Sequence, residues 1–337
     1  MNEIYSSQIS VIVRGLIVGQ DESSQEKQFT KQVIRSIRKF LPDAQIIIST
    51  WEGQNVEDLN CDVLLVNKEP EPIIVSLDAT KTKLIAANNQ IYATQKGLDR
   101  VDRPYVISMR TDIVLTNTNF LNYFKKYNKK TPPDILHKRI VTLPTYNPRR
   151  THPFLFDVCD WFYFGTKEDI KNIFSIPLMK LSDLKGEKIN NHFPLKENLE
   201  SEQYIWTTFL KKNGYPAHLP SINSMNPELL ALSEKSYAHY TIMVPHPKIG
   251  IICLKMPGAG YGARPWLSQG LYTFTEYKRL YNKYNRDIIF YVPNICESVA
   301  YSLALSIRNG IRGKMPTFYK KVVNAVRTMY GSNNLLP

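Results

Sequence analysis

ISVIVRGLIV, residues 9–18, is an almost unbroken apolar run rich in β-branched side chains, with Arg14 and Gly15 as its main interruption. A run this short and this apolar predicts a strand covered on both faces, the kind found in parallel sheets. Working outward, residues 25–41 place Phe29, Val33, Ile34, Ile37, Phe40 and Leu41 at helical spacing, with Lys31, Arg35, Arg38 and Lys39 on the other side. Residues 45–50 (QIIIST) and 62–67 (DVLLVN) predict two more strands, and residues 80–99 a helix with Leu84, Ile85, Ile91 and Leu98 turned inward. Residues 105–115 (YVISMRTDIVL) predict a fourth strand, broken by a polar triplet. Apolar strands alternating with amphipathic helices define an α/β fold: a single Rossmann-like, mainly parallel sheet flanked by helices.

In open sheets of this kind, ligands bind beyond the carboxyl ends of the strands. The polar residues that close each predicted strand therefore carry the functional reading: Arg14 and Gly15, Trp51 and Glu52, Asn67 and Lys68, and Arg110 with Asp112. Farther along, residues 139–143 and 161–164 predict strands, 167–174 a short helix, 178–199 a polar loop and 200–213 a helix with Tyr204, Ile205, Phe209 and Leu210 inward.

The 337 residues carry 43 Lys and Arg against 30 Asp and Glu, a formal net charge of +13 that calls for an anionic partner. No acidic residue follows Glu297, whereas Arg308, Arg312, Lys314, Lys320, Lys321 and Arg327 do. Residues 317–330 set Phe318, Val322, Val323, Ala325, Val326 and Met329 on one helical side and Lys320, Lys321 and Arg327 on the other. That is the character of an interfacial helix on an anionic membrane surface, or of a helix docked on its own domain with a solvated basic face. A nucleic-acid partner is not expected, because no recognised binding motif is present and the 20 tyrosines are scattered through apolar runs. Cys61, Cys159, Cys253 and Cys296 stand alone, which excludes a disulfide scaffold and a zinc ribbon and fits a reducing compartment. The polar opening MNEIYSSQ predicts no secretory signal, and no apolar run reaches the roughly 18 residues of a membrane span.

The triplet Arg110-Thr111-Asp112 is the sharpest chemical feature. A carboxylate at the end of an apolar strand must be paired, either with a divalent cation on a diphosphate or with Arg110 itself. Transferases that use sugar nucleotides commonly place D-x-D at such a strand end; here the first carboxylate is replaced by Arg110, a bidentate donor suited to phosphate. Asn88, Asn89 and Gln90 are poor choices for a helix interior, and contact with a base or ribose would explain them. Trp51 could stack on a base and Glu52 accept ribose hydroxyls, or the ring could be core and the carboxylate solvated. Asp160, at the entry to a hydrophobic strand, and Glu202, at a helix start, are both eligible as the base that deprotonates an acceptor hydroxyl. Asp157 lies close by, and Glu200 beside Glu202. The glycine-rich run 258–262, His152 and His246 are weak signals.

These segments together resemble the WavE lipopolysaccharide-synthesis family of bacterial surface-polysaccharide proteins. The matching stretches are VIVRG (11–15), SIRKFLPDAQIIISTWEG (36–53), NNQIYATQKGL (88–98), SMRTDI (108–113), DWFYFGTKEDI (160–170) and SEQYIW (201–206), in the family's order over about residues 8–210. The resemblance implies a GT-A-like glycosyltransferase fold, and the domain is expected over residues 1–290; the basic amphipathic segment expected over 291–337 rests on the pattern of the tail itself. It implies a nucleotide-sugar donor and a lipid-linked lipopolysaccharide core or capsular glycan as acceptor, at the cytoplasmic membrane face. Arg14, Gly15, Trp51, Glu52, Asn88, Asn89 and Gln90 would then contact the donor. Arg110 would hold its phosphate, and Asp112 a Mn²⁺ or Mg²⁺ ion or a ribose hydroxyl. Asp160 or Glu202 would be the base. The rival readings are a nucleic-acid binder and a non-catalytic scaffold of a glycan-assembly complex.

Overall fold

The first apolar run becomes the middle of the main sheet because both of its faces are covered: every residue of β1 (Ile9–Arg14) is buried. The computed structural model describes residues 3–18, 28–78, 80–149, 154–184, 192–194, 198–255, 270–285 and scattered positions between 303 and 321. Within these, the further strands are β2 (Gln45–Trp51), β3 (Val63–Asn67), β4 (Ile73–Ser76), β5 (Thr82–Ile85), β6 (Tyr105–Arg110) and β7 (Ile113–Leu115). Beyond them come β8 (Ile140–Thr142), β9 (Phe162–Thr166), β10 (Phe193–Pro194), β11 (Thr241–Met243) and β12 (Ile251–Cys253). The helices are α1 (Phe29–Phe40), α2 (Ala87–Leu98), α3 (Asn119–Tyr127), α4 (Lys167–Phe174), α5 (Ser201–Lys212), α6 (Pro227–Tyr240), α7 (His246–Ile249) and α8 (Phe274–Asn285).

The central sheet has seven strands in the order β3-β2-β1-β6-β9-β8-β11. All neighbours run parallel except β9, which is antiparallel to both β6 and β8. Counted within the sheet, the order is 3-2-1-4-6-5-7 with the sixth strand reversed, the mainly parallel α/β sheet expected. Helix α2 lies across β1 and β2 and packs against α4 and α5. Its Gly97 makes this approach possible: a Cβ there would stand 2.5 Å from Cγ2 of Ile12 in β1. On α3, Phe120 and Phe124 meet Phe164 of β9 edge to face, with centroids 4.9 and 5.0 Å apart.

Two predicted elements divide. The helix expected over 80–99 begins only at Ala87, and Thr82–Ile85 instead forms a hairpin with β4, pairing Ile74 with Leu84 and Ile73 with Ile85. Leu84 is 52% exposed and Ile85 3%, so these residues alternate with period two, and Asp78 Oδ1 accepts from the Thr80 and Lys81 amides to make the turn. The strand expected over 105–115 stops at Arg110; the chain bends through Thr111 and Asp112, and β7 pairs antiparallel with β12 in a separate two-stranded sheet. The loop expected over 178–199 contains a short turn at Leu181–Asp183, and β10 joins β4 and β5. The glycine-rich run 258–262, His152 and most of the basic tail lie outside the described residues.

Candidate functional site

The bend after β6 and the turn after β1 open a cleft at the carboxyl ends of the parallel strands. Register puts Arg14 level with Ser49 of β2 and with Arg110 of β6. Gly15 lets β1 stop there: its φ of +116° is a conformation that side chains rarely adopt, and its amide donates to the Ser49 carbonyl at 3.0 Å. The cleft is lined by Arg14, Gly15, Trp51, Asn89, Gln90, Arg110, Asp112 and Asp160, all singled out in the sequence, together with Leu16, Val18, Ala86, Thr111 and Lys255.

Arg14 is 3% exposed. Its Nε donates to Ser108 Oγ at 3.1 Å and its Nη2 to the carbonyl of Asp160, fixing β1, β6 and the segment before β9 to one another. Burial pulls its pKa down, against the opposing charge of Asp160. Arg110 donates from Nε to Asp112 Oδ1 at 3.0 Å and from Nη2 to Oδ2 at 2.6 Å, and its guanidinium lies 4.9 Å from the Trp161 ring centroid. Burial alone would lower the Arg110 pKa, but the charge and hydrogen bonds of Asp112 outweigh it and hold it above the ordinary value. Of the two readings open in the sequence for this triplet, the Arg110–Asp112 ion pair is present.

The other predicted residues divide between cleft and scaffold. Trp51 is core, 2% exposed, and stacks on Tyr92 with centroids 6.4 Å apart, although it also lines the cleft. Glu52 is exposed and does not line it. The three amides lie in the first turn of α2 and face different partners. Asn88 accepts from the Met179 amide at 2.7 Å and donates to its carbonyl at 3.0 Å, away from the cleft. Asn89 lines the cleft and donates to Glu69 at 2.5 Å. Gln90 also lines it, with a buried Oε1 that accepts no hydrogen bond among the described residues.

Behind the cleft stands an acidic cluster that the sequence did not reveal as one. Asp157 and Asp160 are 6% and 4% exposed. Burial pushes the Asp157 carboxyl up to about 7, opposed by a hydrogen bond from Thr145 and reinforced by the charges of Glu200 and Asp160. Burial also lifts the Glu202 carboxyl well above the ordinary range, with Asp160 and Asp157 adding to the effect. Glu202 is not among the cleft-lining residues. Glu200 is held by Lys83, whose Nζ lies 2.6 Å from both of its oxygens. The segment leading to Asp160 is strained: Phe156, fully buried, sits at φ +53°. The Ser233 hydroxyl and the Tyr237 hydroxyl accept the Phe156 and Asp157 amides, both at 2.8 Å, and hold it there. Lys255, just past β12, reaches the cleft because β12 pairs with β7; nothing in the local sequence marked it.

Among the described residues no group of three or more His, Cys, Asp or Glu side chains converges as a metal site, and no helix is long and apolar enough to cross a membrane.

Fold and cleft thus define an α/β protein with a cleft of basic and acidic side chains over the ends of a mainly parallel sheet. The family model for WavE lipopolysaccharide synthesis matches residues 9–255, and the chain belongs to that family. No curated protein matches it. Among solved structures it is similar to HddC from Yersinia pseudotuberculosis, at 12% identity and a TM-score of 0.28 over 49% of this chain and 79% of that one. It is also similar to the mannosyltransferase PcManGT from Pyrobaculum calidifontis in complex with GDP-Man and Mn²⁺, at 10% identity and a TM-score of 0.33 over 97% of this chain and 88% of that one. A third, 4-diphosphocytidyl-2C-methyl-D-erythritol synthase from Anaerococcus prevotii, has 10% identity and a TM-score of 0.33 over 68% of this chain and 97% of that one.

Proposed function

We propose that the chain is a nucleotide-sugar-dependent glycosyltransferase that extends a lipopolysaccharide core or capsular glycan on a lipid-linked acceptor at the cytoplasmic membrane face. Residues 1–290 would form the transferase domain and 291–337 a membrane-associating segment. The observation that carries this reading is the convergence of Arg14, Arg110, Lys255 and Asp160 on one cleft at the strand ends, in a chain of a lipopolysaccharide synthesis family. Cationic side chains there suit a donor phosphate, and a carboxylate beside them suits a reacting hydroxyl. Gln90 Oε1, buried without a partner among the described residues, supplies an acceptor for a ribose hydroxyl or a base N–H.

In this mechanism the acceptor hydroxyl attacks the anomeric carbon, the bond to the donor phosphate breaks, and the nucleotide leaves with its electron pair on a phosphate oxygen. Asp160 takes the hydroxyl proton. Glu202 is the poorer candidate, because it lies off the cleft wall and burial lifts its carboxyl well above the ordinary range. A scaffold without chemistry is favoured by one observation, the pairing of Asp112 with Arg110. Incubation of the purified protein with UDP-, GDP-, CMP- and dTDP-sugars and a lipid-linked glycan decides between them. One sugar nucleotide is expected to be consumed, with Asp160→Asn slowing transfer by roughly 10²–10⁴-fold while its melting stays cooperative. Turnover equal to wild type in Asp160→Asn would remove the base assignment, and nucleotide binding without transfer would favour the scaffold.

A further inference from the structure

The geometry points to a donor site that works without a divalent cation: we propose that Arg110, steered by Asp112 and Trp161, binds the donor phosphate where D-x-D transferases place a metal. The inference rests on the glycosyltransferase reading above and goes beyond it in naming what neutralises the phosphate.

The donor set does not fit a cation. Asp112 is the one carboxylate of the triplet, and both of its oxygens accept from Arg110, at 3.0 and 2.6 Å. Its side chain is 2% exposed beneath a guanidinium that is 29% exposed, so a ligand entering the cleft meets the arginine before the carboxylate. A divalent ion on Asp112 would have to displace Arg110 and then sit beside its charge. A cation that rides on a nucleotide diphosphate needs at least one free carboxylate from the protein, and the carboxylate at this strand end is already taken up by Arg110.

The same geometry suits an oxyanion. A guanidinium has five N–H donors in a fixed fork. Asp112 takes Nε and one Nη2 proton, and among the described residues Nη1 makes no hydrogen bond. Two bonds to a buried carboxylate and the Trp161 ring at 4.9 Å fix the guanidinium plane, so its open edge is pre-organised for phosphate. Asp112 is then a positioning residue for Arg110. Arg14 adds a second charge nearby; its own hydrogen bonds to Ser108 and Asp160 make it a fixed part of the cleft's field.

Titration calorimetry on the full chain with UDP, GDP, dTDP and CMP, each in EDTA and in Mn²⁺, tests the proposal. The nucleotide that binds is expected to show a dissociation constant that agrees within about twofold in the two buffers. Loss of a charged hydrogen bond to phosphate in Arg110→Ala is expected to weaken it by roughly ten- to a hundredfold. Because Arg110→Ala leaves Asp112 buried and unpaired, the double variant Arg110→Met with Asp112→Asn is measured beside it, and the same weakening is expected. Binding that appears only with Mn²⁺ overturns the proposal and leaves the transferase reading standing. So does binding at wild-type strength in the double variant. No binding of any nucleotide under either condition overturns both.

Discussion

At the scale of single residues, burial of Asp157 in the acidic cluster makes stability depend on pH. Asp157 is pushed up to about 7, mainly by burial, with Glu200 and Asp160 adding to the effect. An aspartate in an unfolded chain ionises near 3.9. Between those values the folded chain keeps a proton that the unfolded chain releases, so unfolding liberates protons and stability falls as pH rises through the window. The contribution is harmless below about pH 4 and fully adverse above about pH 7. Asp157→Asn cannot ionise and escapes this loss. Thermal melts at about pH 5.5 and pH 8 are expected to show a larger drop in wild type than in Asp157→Asn; equal drops would refute the assignment. Asp157 could not be recognised this way in the sequence, because its partners lie on α5, on the segment around Thr145 and on α6. Arg14, Arg110 and Asp160 were legible because a charge inside or beside an apolar strand is conspicuous. Asn88 was conspicuous too, but its amide serves the Met179 backbone, a contact between distant segments that no local pattern encodes.

At the scale of elements, the strands β1, β2 and β6 are readable because burial on both faces leaves an apolar run; β3 is apolar too, but as the edge strand it alternates half-buried and exposed residues, with Leu64 and Val66 on the open side. Helix α2 was misjudged at its start, since Leu84 and Ile85 fit a helical stripe as well as a hairpin, and the pairing with β4 decides it. The docking of α2 depends on one missing side chain. A methyl group at Gly97 would meet Cγ2 of Ile12 at 2.5 Å and two further Ile12 carbons at 3.1 Å. Ile12 is fully buried in β1 and its branched Cβ leaves Cγ2 little freedom. Helix propensity favours Gly97→Ala by about 1 kcal/mol, whereas overpacking of this kind costs about 1–3 kcal/mol. The clash wins because the neighbour is a core strand. Chemical denaturation of Gly97→Ala is expected to show a net loss of up to about 2 kcal/mol; a gain would mean that α2 can lift from β1 without penalty. Such a shift would also disturb Gln90 and Asn89 in the cleft, since they ride on the same helix.

At the scale of the whole molecule, the formal charge of +13 is not explained by the cleft, where three cationic side chains face Asp112 and Asp160. Much of the excess lies after Glu297, where no acidic residue occurs. In that stretch the described apolar residues Leu303, Ile307, Met315 and Phe318 are each more than half exposed. Exposed apolar side chains interspersed with basic ones suit the boundary of an anionic bilayer, where apolar burial and electrostatic attraction act together. A lipid-linked acceptor would then be presented to a cleft already held at the surface. Each basic residue near an anionic leaflet contributes on the order of 1 kcal/mol, so removing four should weaken binding by well over tenfold at moderate ionic strength. Changing Lys314, Lys320, Lys321 and Arg327 together to Gln is expected to abolish co-sedimentation with phosphatidylglycerol vesicles while leaving nucleotide binding intact, because none of the four is among the described residues that line the cleft. High salt should release the wild-type protein in part, because screening acts on the charges and not on the apolar contact. If the quadruple variant sediments like wild type, the basic tail serves the fold or another partner, and the membrane reading of the charge excess falls.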